Sequence, residues 1–256
     1  MNTCIISGRF PITQFESPTN HKLYADIQGY SYIHCNWPTT SKNNYFNKII
    51  YVLNYIEFYD YIVWIDDDAF YFNLDNDIMD YAPKGDSFIS FCKSPSFKEL
   101  KTLFNSGHFI VQCNSLSKQF FKDVLKTDLN RVKAWWKDEL GFFSNGDQDA
   151  MVYLLLESEQ YKNKMDLYDY QHFNSRYENL FTQDVHKPFV LHFTGRGPTK
   201  QANLKAVQSH FNLHPSLVEN SVLKNYNIKI QDDYKVAKQK SSLKTKLLKV
   251  KDRLKK

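Results

Sequence analysis

Three consecutive carboxylates, Asp66, Asp67 and Asp68, follow directly on the apolar run Tyr61–Ile65. A short run rich in β-branched and aromatic residues is typical of a buried strand in an α/β sheet, and open α/β sheets bind ligands at the carboxyl ends of their strands. Crowded carboxylates repel one another unless a cation neutralises them, and hard divalent cations prefer oxygen ligands. The run therefore predicts a metal–nucleotide site, although aspartate-rich strand ends are also common as solvated turns or helix caps.

The surrounding pattern predicts the elements that position these carboxylates. Apolar runs bounded by turn residues predict strands over residues 4–7, 30–35, 61–65, 88–92, 109–113 and 189–193. Helix signals predict helices over residues 20–29, 45–58 and 115–125, and a loop that enters a helix over 146–156. Because strands alternate with helices at the start of the chain, we expect an α/β fold with a mostly parallel, Rossmann-like nucleotide-binding sheet.

The composition predicts one large domain, residues 1–220, followed by a tail, residues 221–256. The chain of 256 residues is 42% hydrophobic, so it can bury a sizeable core.

No apolar stretch approaches the roughly 18–20 residues needed to span a bilayer, and we expect no secretory signal. The four cysteines lack Cys-x-x-Cys spacing, which predicts reduced core thiols in a reducing cytosol. The sequence also lacks a P-loop and a Gly-x-Ser-x-Gly elbow.

The tail carries the excess positive charge of the chain. Residues 235–256 hold ten basic and one acidic side chain, which leaves 23 basic and 27 acidic residues before them. Leu243, Leu247, Val250 and Leu254 form one stripe of a helix surrounded by lysines. A basic amphipathic helix of this kind predicts attachment to an anionic membrane surface. A solvated helix or short coiled coil is the main alternative, and a nucleic-acid arm is less favoured because aromatic residues are not interleaved.

Seven segments, in order over roughly residues 3–200, resemble the galactosyl/xylosyltransferase family, which includes fungal galactomannan galactosyltransferases and plant xyloglucan xylosyltransferases. The segments are Ile5–Gly8, Leu23–Ala25 with Gly29-Tyr30, Lys48-Ile49, Trp64–Ala69, Asn105–Gly107 before Phe109–Val111, Asp147-Gln148 before Ala150–Leu154, and His192–Gly195. The resemblance implies a single-domain GT-A fold and a UDP-sugar as donor substrate.

The resemblance also implies a set of metal ligands. Asp66 and Asp68 match the family's Asp-x-Asp motif, which holds Mn²⁺ or Mg²⁺ on the donor diphosphate, and Asp67 is left to face the ribose or another partner. His192 is implied as the third ligand, although a lone histidine in an apolar strand is often a core residue. Mixed imidazole and carboxylate ligation suits Mn²⁺ somewhat better than Mg²⁺.

Several residues are predicted to bind the nucleotide sugar. The resemblance places Ser7, Gly8 and Arg9 beside the uracil and ribose, and Asn105 and Gly107 near the donor sugar, where turn formation alone is the alternative.

A second group of residues is predicted to lie beside the diphosphate of the donor. The family's lysine–proline pair is replaced by Gly197-Pro198, so Arg196 or Lys200 is expected to supply the positive charge beside Gly195. Lys48 is expected to neutralise the acidic cluster or to contact phosphate.

The predicted catalytic segment is Asp147, Gln148 and Asp149. Asp147-Gln148 stands in the place of the family's Asp-Asp-Gln, and Gly146 replaces the first acid. Asp147 would orient the sugar hydroxyls and a Gln148 carbonyl oxygen would stabilise the oxocarbenium-like carbon, with Asp149 as a second candidate. The alternative for Asp147 is a helix cap.

Together these features predict a metal-dependent, retaining glycosyltransferase that moves galactose, glucose or xylose from a UDP-sugar to a glycan or lipid-linked glycan. Surface polysaccharide or lipopolysaccharide assembly at the cytoplasmic face of the membrane would suit the basic tail, and no nucleic-acid partner is expected. The alternative is a nucleotide-sugar-binding protein with little turnover, since Gly146 and Gly197 depart from the family pattern.

Overall fold

The computed structural model describes residues 1–96, 101–181, 188–195 and 197–228. Six strands form the central sheet: β1 (Thr3–Gly8), β2 (Ser31–Cys35), β3 (Tyr61–Ile65), β5 (Ile89–Cys92), β6 (Asn105–Gln112) and β7 (Met165–Tyr168). Their order is β2-β1-β3-β6-β5-β7, and only β6 runs antiparallel to its neighbours β3 and β5. The sheet is therefore mostly parallel, as the alternation of strands and helices predicts.

A second, smaller sheet lies at the carboxyl end of β3. It consists of β4 (Ala69–Tyr71), β8 (Ser175–Arg176) and β9 (Val190–His192), in the order β4-β9-β8. Strand β4 begins immediately after the aspartate run and pairs antiparallel with β9, so that Ala69 lies opposite His192. This pairing connects the aspartate run to a segment more than a hundred residues later in the chain.

The helices of the described residues are α1 (Ser17–Gln28), α2 (Asn47–Tyr55), α3 (Ser115–Lys126), α4 (Leu129–Trp135), α5 (Asp147–Glu157), α6 (Tyr170–Phe173), α7 (Gly197–Phe211) and α8 (Asn220–Asn225). Helix α1 ends at Gly29, whose φ of 74° lies in the left-handed region that a glycine C-cap adopts readily. Helix α3 begins with a capping box in which Asn114 and Ser117 bond each other's backbone N–H.

The central sheet is buried on both faces, because neighbouring strand residues point to opposite sides. Ile6 and Trp64 belong to one apolar cluster, which includes residues of α2, α3 and α5. Ile5 and Val63 belong to the other, which includes Tyr24 of α1. Because β3 is buried on both faces, its sequence is continuously apolar and does not alternate between apolar and polar residues.

Two details differ from the sequence-based predictions. Strand β6 begins at Asn105, four residues before the predicted start, so Asn105, Ser106 and Gly107 are strand residues and not a turn. Pairing with β3 and β5 overrides the low strand propensity of these residues. The predicted loop around residues 194–198 is shorter than expected, because Gly197 already begins α7.

The chain divides into two units, Met1–Leu217 and Val218–Lys256. The described part of the second unit contains α8. The basic amphipathic helix predicted over 235–256 lies outside the described residues, and the boundary at residue 220 stays a prediction. Among the described helices, none is both long enough and apolar enough to cross a membrane.

Candidate active site

The carboxylates of Asp66 and Asp68 lie close to the imidazole of His192. Asp66 follows β3, Asp68 precedes β4, and His192 is the last residue of β9, so the β4–β9 pairing brings the three together. One ligand atom from each residue lies within 4.8 Å of the other two. The His192 Nε2 is 3.1 Å from the Asp68 Oδ1. Two carboxylate oxygens and one imidazole nitrogen at this spacing suit a divalent cation.

Asn174 and Arg176 orient His192. The Asn174 Oδ1 lies 2.9 Å from the His192 Nδ1 and accepts a hydrogen bond from the Arg176 Nη1 at 2.8 Å. Because a guanidinium only donates, the Asn174 atom between them must be its carbonyl oxygen, and His192 must carry its proton on Nδ1. The Nε2 lone pair is left facing Asp68. Burial lowers the pKa of His192, which favours the neutral ring that binds metals.

This contact leads to a prediction for Asn174. Asn174→Leu removes the acceptor that orients the ring and should weaken Mn²⁺ binding by about 10- to 100-fold. Asn174→Asp keeps an acceptor oxygen at the same position and should retain most of the affinity. Titration of free Mn²⁺ by electron paramagnetic resonance measures both, and equal losses in the two variants would contradict the role of the acceptor.

The charges around Asp68 and Asp67 differ. Burial acts to raise the pKa of Asp68, but the ammonium of Lys200 lowers it below its usual range. Lys200 donates directly to the Asp68 Oδ2. Burial and the neighbouring Asp68 charge raise the pKa of Asp67 to about 6, and the Arg9 guanidinium lies 3.6 Å from its Oδ2. Asp67 thus faces the β1 side of the cleft, away from Lys200.

Lys48 of α2 connects the metal-ligand cluster to helix α5. Its Nζ lies 3.1 Å from the Asp66 Oδ1 and 3.6 Å from the Asp147 Oδ2, and it donates to the Ser106 carbonyl oxygen at 3.1 Å. Burial acts to lower the pKa of Lys48, but the two carboxylates raise it above its usual value. Lys48 is therefore a buried, charged bridge between two carboxylates, and whether it neutralises the acidic cluster or contacts phosphate stays a prediction.

Gly107 allows β6 to approach the cluster. A Cβ at this position would lie 2.5 Å from the His192 Cε1, 2.7 Å from the Asn105 Oδ1 and 3.0 Å from the Asp66 Oδ2. The Asn105 Oδ1 accepts from the Gly107 N–H at 3.0 Å, and the Gly107 carbonyl oxygen accepts from the Asp66 N–H at 2.8 Å. The absence of a side chain at residue 107 is thus required for Asp66 and His192 to lie where they do.

Gly107→Ala should destabilise the fold by roughly 1–3 kcal/mol, since a methyl group here overfills a packed site. Because the clash is with His192 itself, the variant should also lose Mn²⁺ affinity. The matched control is Gly197→Ala, whose added Cβ meets no described atom within 4 Å. Urea unfolding of both variants tests this prediction, and equal stability of the two would contradict it.

The start of α5 holds the three residues predicted to be catalytic. Asp147 is 2% exposed, and burial raises its pKa against the effect of Lys48. The Gln148 Oε1 accepts from the Ser106 N–H at 3.0 Å. The Asp149 Oδ2 accepts from the Gly146 N–H at 3.2 Å and from Ser144. The helix cap expected of Asp147 is therefore made by Asp149 instead, because its side chain reaches back to the residue that precedes the helix.

The cleft beside this cluster has a volume of about 750 Å³. Of the predicted site residues, it is lined by Gly8, Arg9, Lys48, Asp66, Asp67, Asp68 and Lys200. Ser7 is fully buried in β1, and Gly8 packs so closely on β2 that a Cβ would lie 2.1 Å from the Cys35 carbonyl oxygen. Gly195 has a φ of 109° in the turn after β9, and Arg196 lies outside the described residues.

Comparisons with known proteins agree with this arrangement. Residues 53–205, more than half of the chain, match the nucleotide-diphospho-sugar transferase family. The chain belongs to the nucleotide-diphospho-sugar transferase family. No curated protein matches it.

One solved structure with a TM-score above 0.5 shows the fold of this nucleotide-sugar transferase. A glycosyltransferase involved in the glycosylation of the major capsid of the virus PBCV-1 is 15% identical, with a TM-score of 0.60 over 79% of this chain and 99% of that one. GlyE of Streptococcus pneumoniae is 12% identical, with a TM-score of 0.49 over 90% of this chain and 64% of that one. The galactosyltransferase LgtC is 11% identical, with a TM-score of 0.45 over 82% of this chain and 96% of that one.

The GT-A glycosyltransferase fold expected from the resemblance is thereby confirmed, and the donor class is a nucleotide sugar. The narrower galactosyl/xylosyltransferase group stays a prediction. Asn174, Arg176 and Tyr45 are site residues of this nucleotide-sugar transferase that the sequence-based predictions miss. Asn174 and Arg176 carry no local signal, since they reach His192 only through the β8–β9 pairing. The predicted helix over residues 45–58 includes Tyr45, but in the structure Tyr45 lies in a 3₁₀ turn, Asn44–Phe46, and lines the cleft.

Proposed function

We propose that this protein is a metal-dependent, retaining glycosyltransferase that transfers galactose, glucose or xylose from a UDP-sugar to a glycan acceptor. The observation that carries the proposal is the convergence of Asp66, Asp68 and His192 at the cleft of a nucleotide-diphospho-sugar transferase. The orientation of His192 by Asn174 adds support, because metal-binding histidines commonly donate their second ring N–H to an oxygen.

The residues present fit a divalent cation, with Mn²⁺ favoured over Mg²⁺. Their donor set mixes imidazole with carboxylate, and one Asp68 oxygen is buried without a hydrogen bond to any described group. Asp66, Asp68 and His192 would hold the ion. A bound cation supplies Lewis-acid neutralisation of the diphosphate leaving group.

The side chains around the cluster have distinct tasks in this proposal. Lys200, with Arg196 as the alternative, binds the diphosphate oxygens from the α7 side, and Arg9 and Asp67 bind the nucleoside from the β1 side. Asp147 orients the donor hydroxyls, helped by the positive charge of Lys48. The Gln148 carbonyl oxygen stabilises positive charge at the reacting sugar carbon. The acceptor hydroxyl attacks that carbon from the face that UDP leaves, and its proton passes to the departing diphosphate.

Release of UDP tests the proposal directly. The protein is incubated with UDP-galactose, UDP-glucose or UDP-xylose and Mn²⁺, with EDTA as the matched control. We expect UDP release from at least one donor, and its loss in EDTA. Binding of UDP by calorimetry without release from any donor would contradict catalysis and favour the nucleotide-sugar-binding alternative.

The tail supports a second part of the proposal, an acceptor at a membrane surface on the cytoplasmic side. Residues 235–256 carry ten basic side chains, and each contributes about 1 kcal/mol near an anionic surface. Removing these residues should therefore lower cosedimentation with phosphatidylglycerol vesicles at least tenfold, while phosphatidylcholine vesicles bind neither form. Unchanged cosedimentation after the deletion would refute membrane attachment through the tail.

A further inference from the structure

A chain of contacts gives the direction of the cleft. Arg9 contacts Asp67 at one end. Beside Asp67, Asp66 contacts Lys48, and Lys48 contacts Asp147. Gly146, the residue before Asp147, packs against the ring of Tyr45. The cleft thus runs from the nucleoside side, across the metal-ligand cluster, to Tyr45.

Tyr45 is far more exposed than Asp147. Asp147 is 2% exposed, whereas Tyr45 is 59% exposed and lines the cleft. A donor sugar that reacts beside Asp147 is enclosed by protein, whereas an acceptor must extend from the cleft into solvent. An exposed ring at the end of the cleft therefore suits the acceptor.

The surroundings of Tyr45 have the chemistry of a carbohydrate subsite. An aromatic face packs on the C–H face of a pyranose, and amide groups beside it bind the hydroxyls. The segments on either side of Tyr45 and Gly146 contribute three amides to the cleft lining, Asn43, Asn44 and Asn145, together with the ammonium of Lys42 and the hydroxyl of Ser144.

Tyr45 is also held in place before any ligand binds. Its backbone N–H donates to the Asn43 Oδ1 at 3.1 Å, and the Asn43 Nδ2 donates to the Asn145 carbonyl oxygen at 2.9 Å. The Tyr45 ring carbons lie 3.1–3.2 Å from where a Gly146 Cβ would be. A Cβ at residue 146 would contact the ring tightly, so that the ring would have to move by a few tenths of an ångström. A preorganised platform costs less entropy on binding.

We propose that Tyr45 is the stacking platform of the acceptor subsite and takes a pyranose ring of the acceptor glycan. The inference rests on the proposed function and deepens it. Trp135 and Trp136 do not fill this role, since both are partly buried against the core and the Trp136 Nε1 donates to the Gly141 carbonyl oxygen.

Saturation-transfer NMR tests the platform without turnover. The probes are methyl β-glucopyranoside and methyl β-galactopyranoside, added to the full chain with Mn²⁺ and UDP. We expect transfer to the ring C–H protons of at least one probe. Tyr45→Ala should weaken its binding by roughly five- to tenfold, and Tyr45→Phe should keep it, because stacking uses the ring and not the hydroxyl. Phe58→Ala is the control, since Phe58 is 68% exposed and does not line the cleft.

A second measurement separates the acceptor from the donor. Without a glycoside, the donor KM of UDP-sugar hydrolysis is compared between Tyr45→Ala and the original chain. We expect the loss of glycoside binding to exceed any change in donor KM. A larger rise in donor KM than in the glycoside dissociation constant would assign the ring to the donor sugar and overturn the inference, as would unchanged glycoside binding in Tyr45→Ala or no binding of either probe by the original chain. Failure of the proposed function itself has a different signature, which is no UDP release from any donor.

Discussion

Asp68→Asn is expected to reduce transferase activity by about 10²- to 10³-fold, the usual effect of losing one electrostatic stabiliser of the leaving group. Asp68 offers one oxygen to the cluster with His192 and the other to Lys200. Asparagine keeps the shape but replaces a charged oxygen with an amide, so the affinity for Mn²⁺ should fall at least as far as on loss of an outer-shell partner, about 100-fold. Steady-state UDP release and Mn²⁺ titration measure the two effects.

Thermal unfolding supplies the control for this variant. Because Mn²⁺ binds only the folded site, it should raise the Tm of the original chain but not that of Asp68→Asn. Asp123→Asn is the matched variant, since Asp123 accepts a hydrogen bond from the Tyr161 hydroxyl and does not line the cleft. It should keep both the activity and the Mn²⁺-dependent Tm shift. A shift that persists in Asp68→Asn would exclude Asp68 as a ligand.

Lys48→Met is expected to lower the free energy of unfolding by about 3–5 kcal/mol, because it leaves the buried Asp147 and the partly exposed Asp66 without their counter-charge. Lys48 contacts both Asp66 and Asp147, and its own side chain is nearly enclosed. The loss should be measured by urea unfolding in metal-free buffer. The control is Lys118→Met, which removes an exposed pair with Glu57 and should change stability far less.

The effect of Lys48→Met should depend on pH. Burial raises the pKa of Asp147 in the folded protein above its unfolded value near 3.8. A carboxyl with a raised folded pKa makes the protein less stable as the pH rises through that folded pKa, because the carboxyl then becomes charged while it is buried. Removing Lys48 raises the folded pKa further, so the deficit should grow as the pH rises through the folded pKa of Asp147 and should be smaller in acid, where Asp147 is protonated. A deficit that is independent of pH would mean that Lys48 acts by packing alone.

These two variants separate the two halves of the site. Asp68 belongs to the part that β4 and β9 assemble, and Lys48 belongs to the part that α2, β6 and α5 assemble. If both predictions hold, metal binding depends on the first part, and the charge balance around the donor sugar depends on the second. Asp66 is common to both, because it contacts Lys48 and lies within the metal-ligand cluster.

Local sequence patterns were sufficient to predict the main strands and helices of this protein. The buried run Tyr61–Ile65 with its aspartates, the glycine that ends α1 and the alternation of strands with helices are properties of neighbouring residues. Each has a local physical cause, namely strand burial, left-handed backbone geometry or side-chain periodicity. The α/β fold class followed from them, whereas the GT-A fold was implied by the family resemblance.

Only the tertiary structure decided how the site is assembled. Strand pairing overrode the turn propensity of Asn105–Gly107 and brought His192 beside Asp68. It also brought Asn174 to His192 and Lys48 to Asp147. The packing of Tyr45 on Gly146 joined segments about a hundred residues apart. Such contacts leave no local pattern, because their energy comes from groups that meet only when the sheet and its helices are complete.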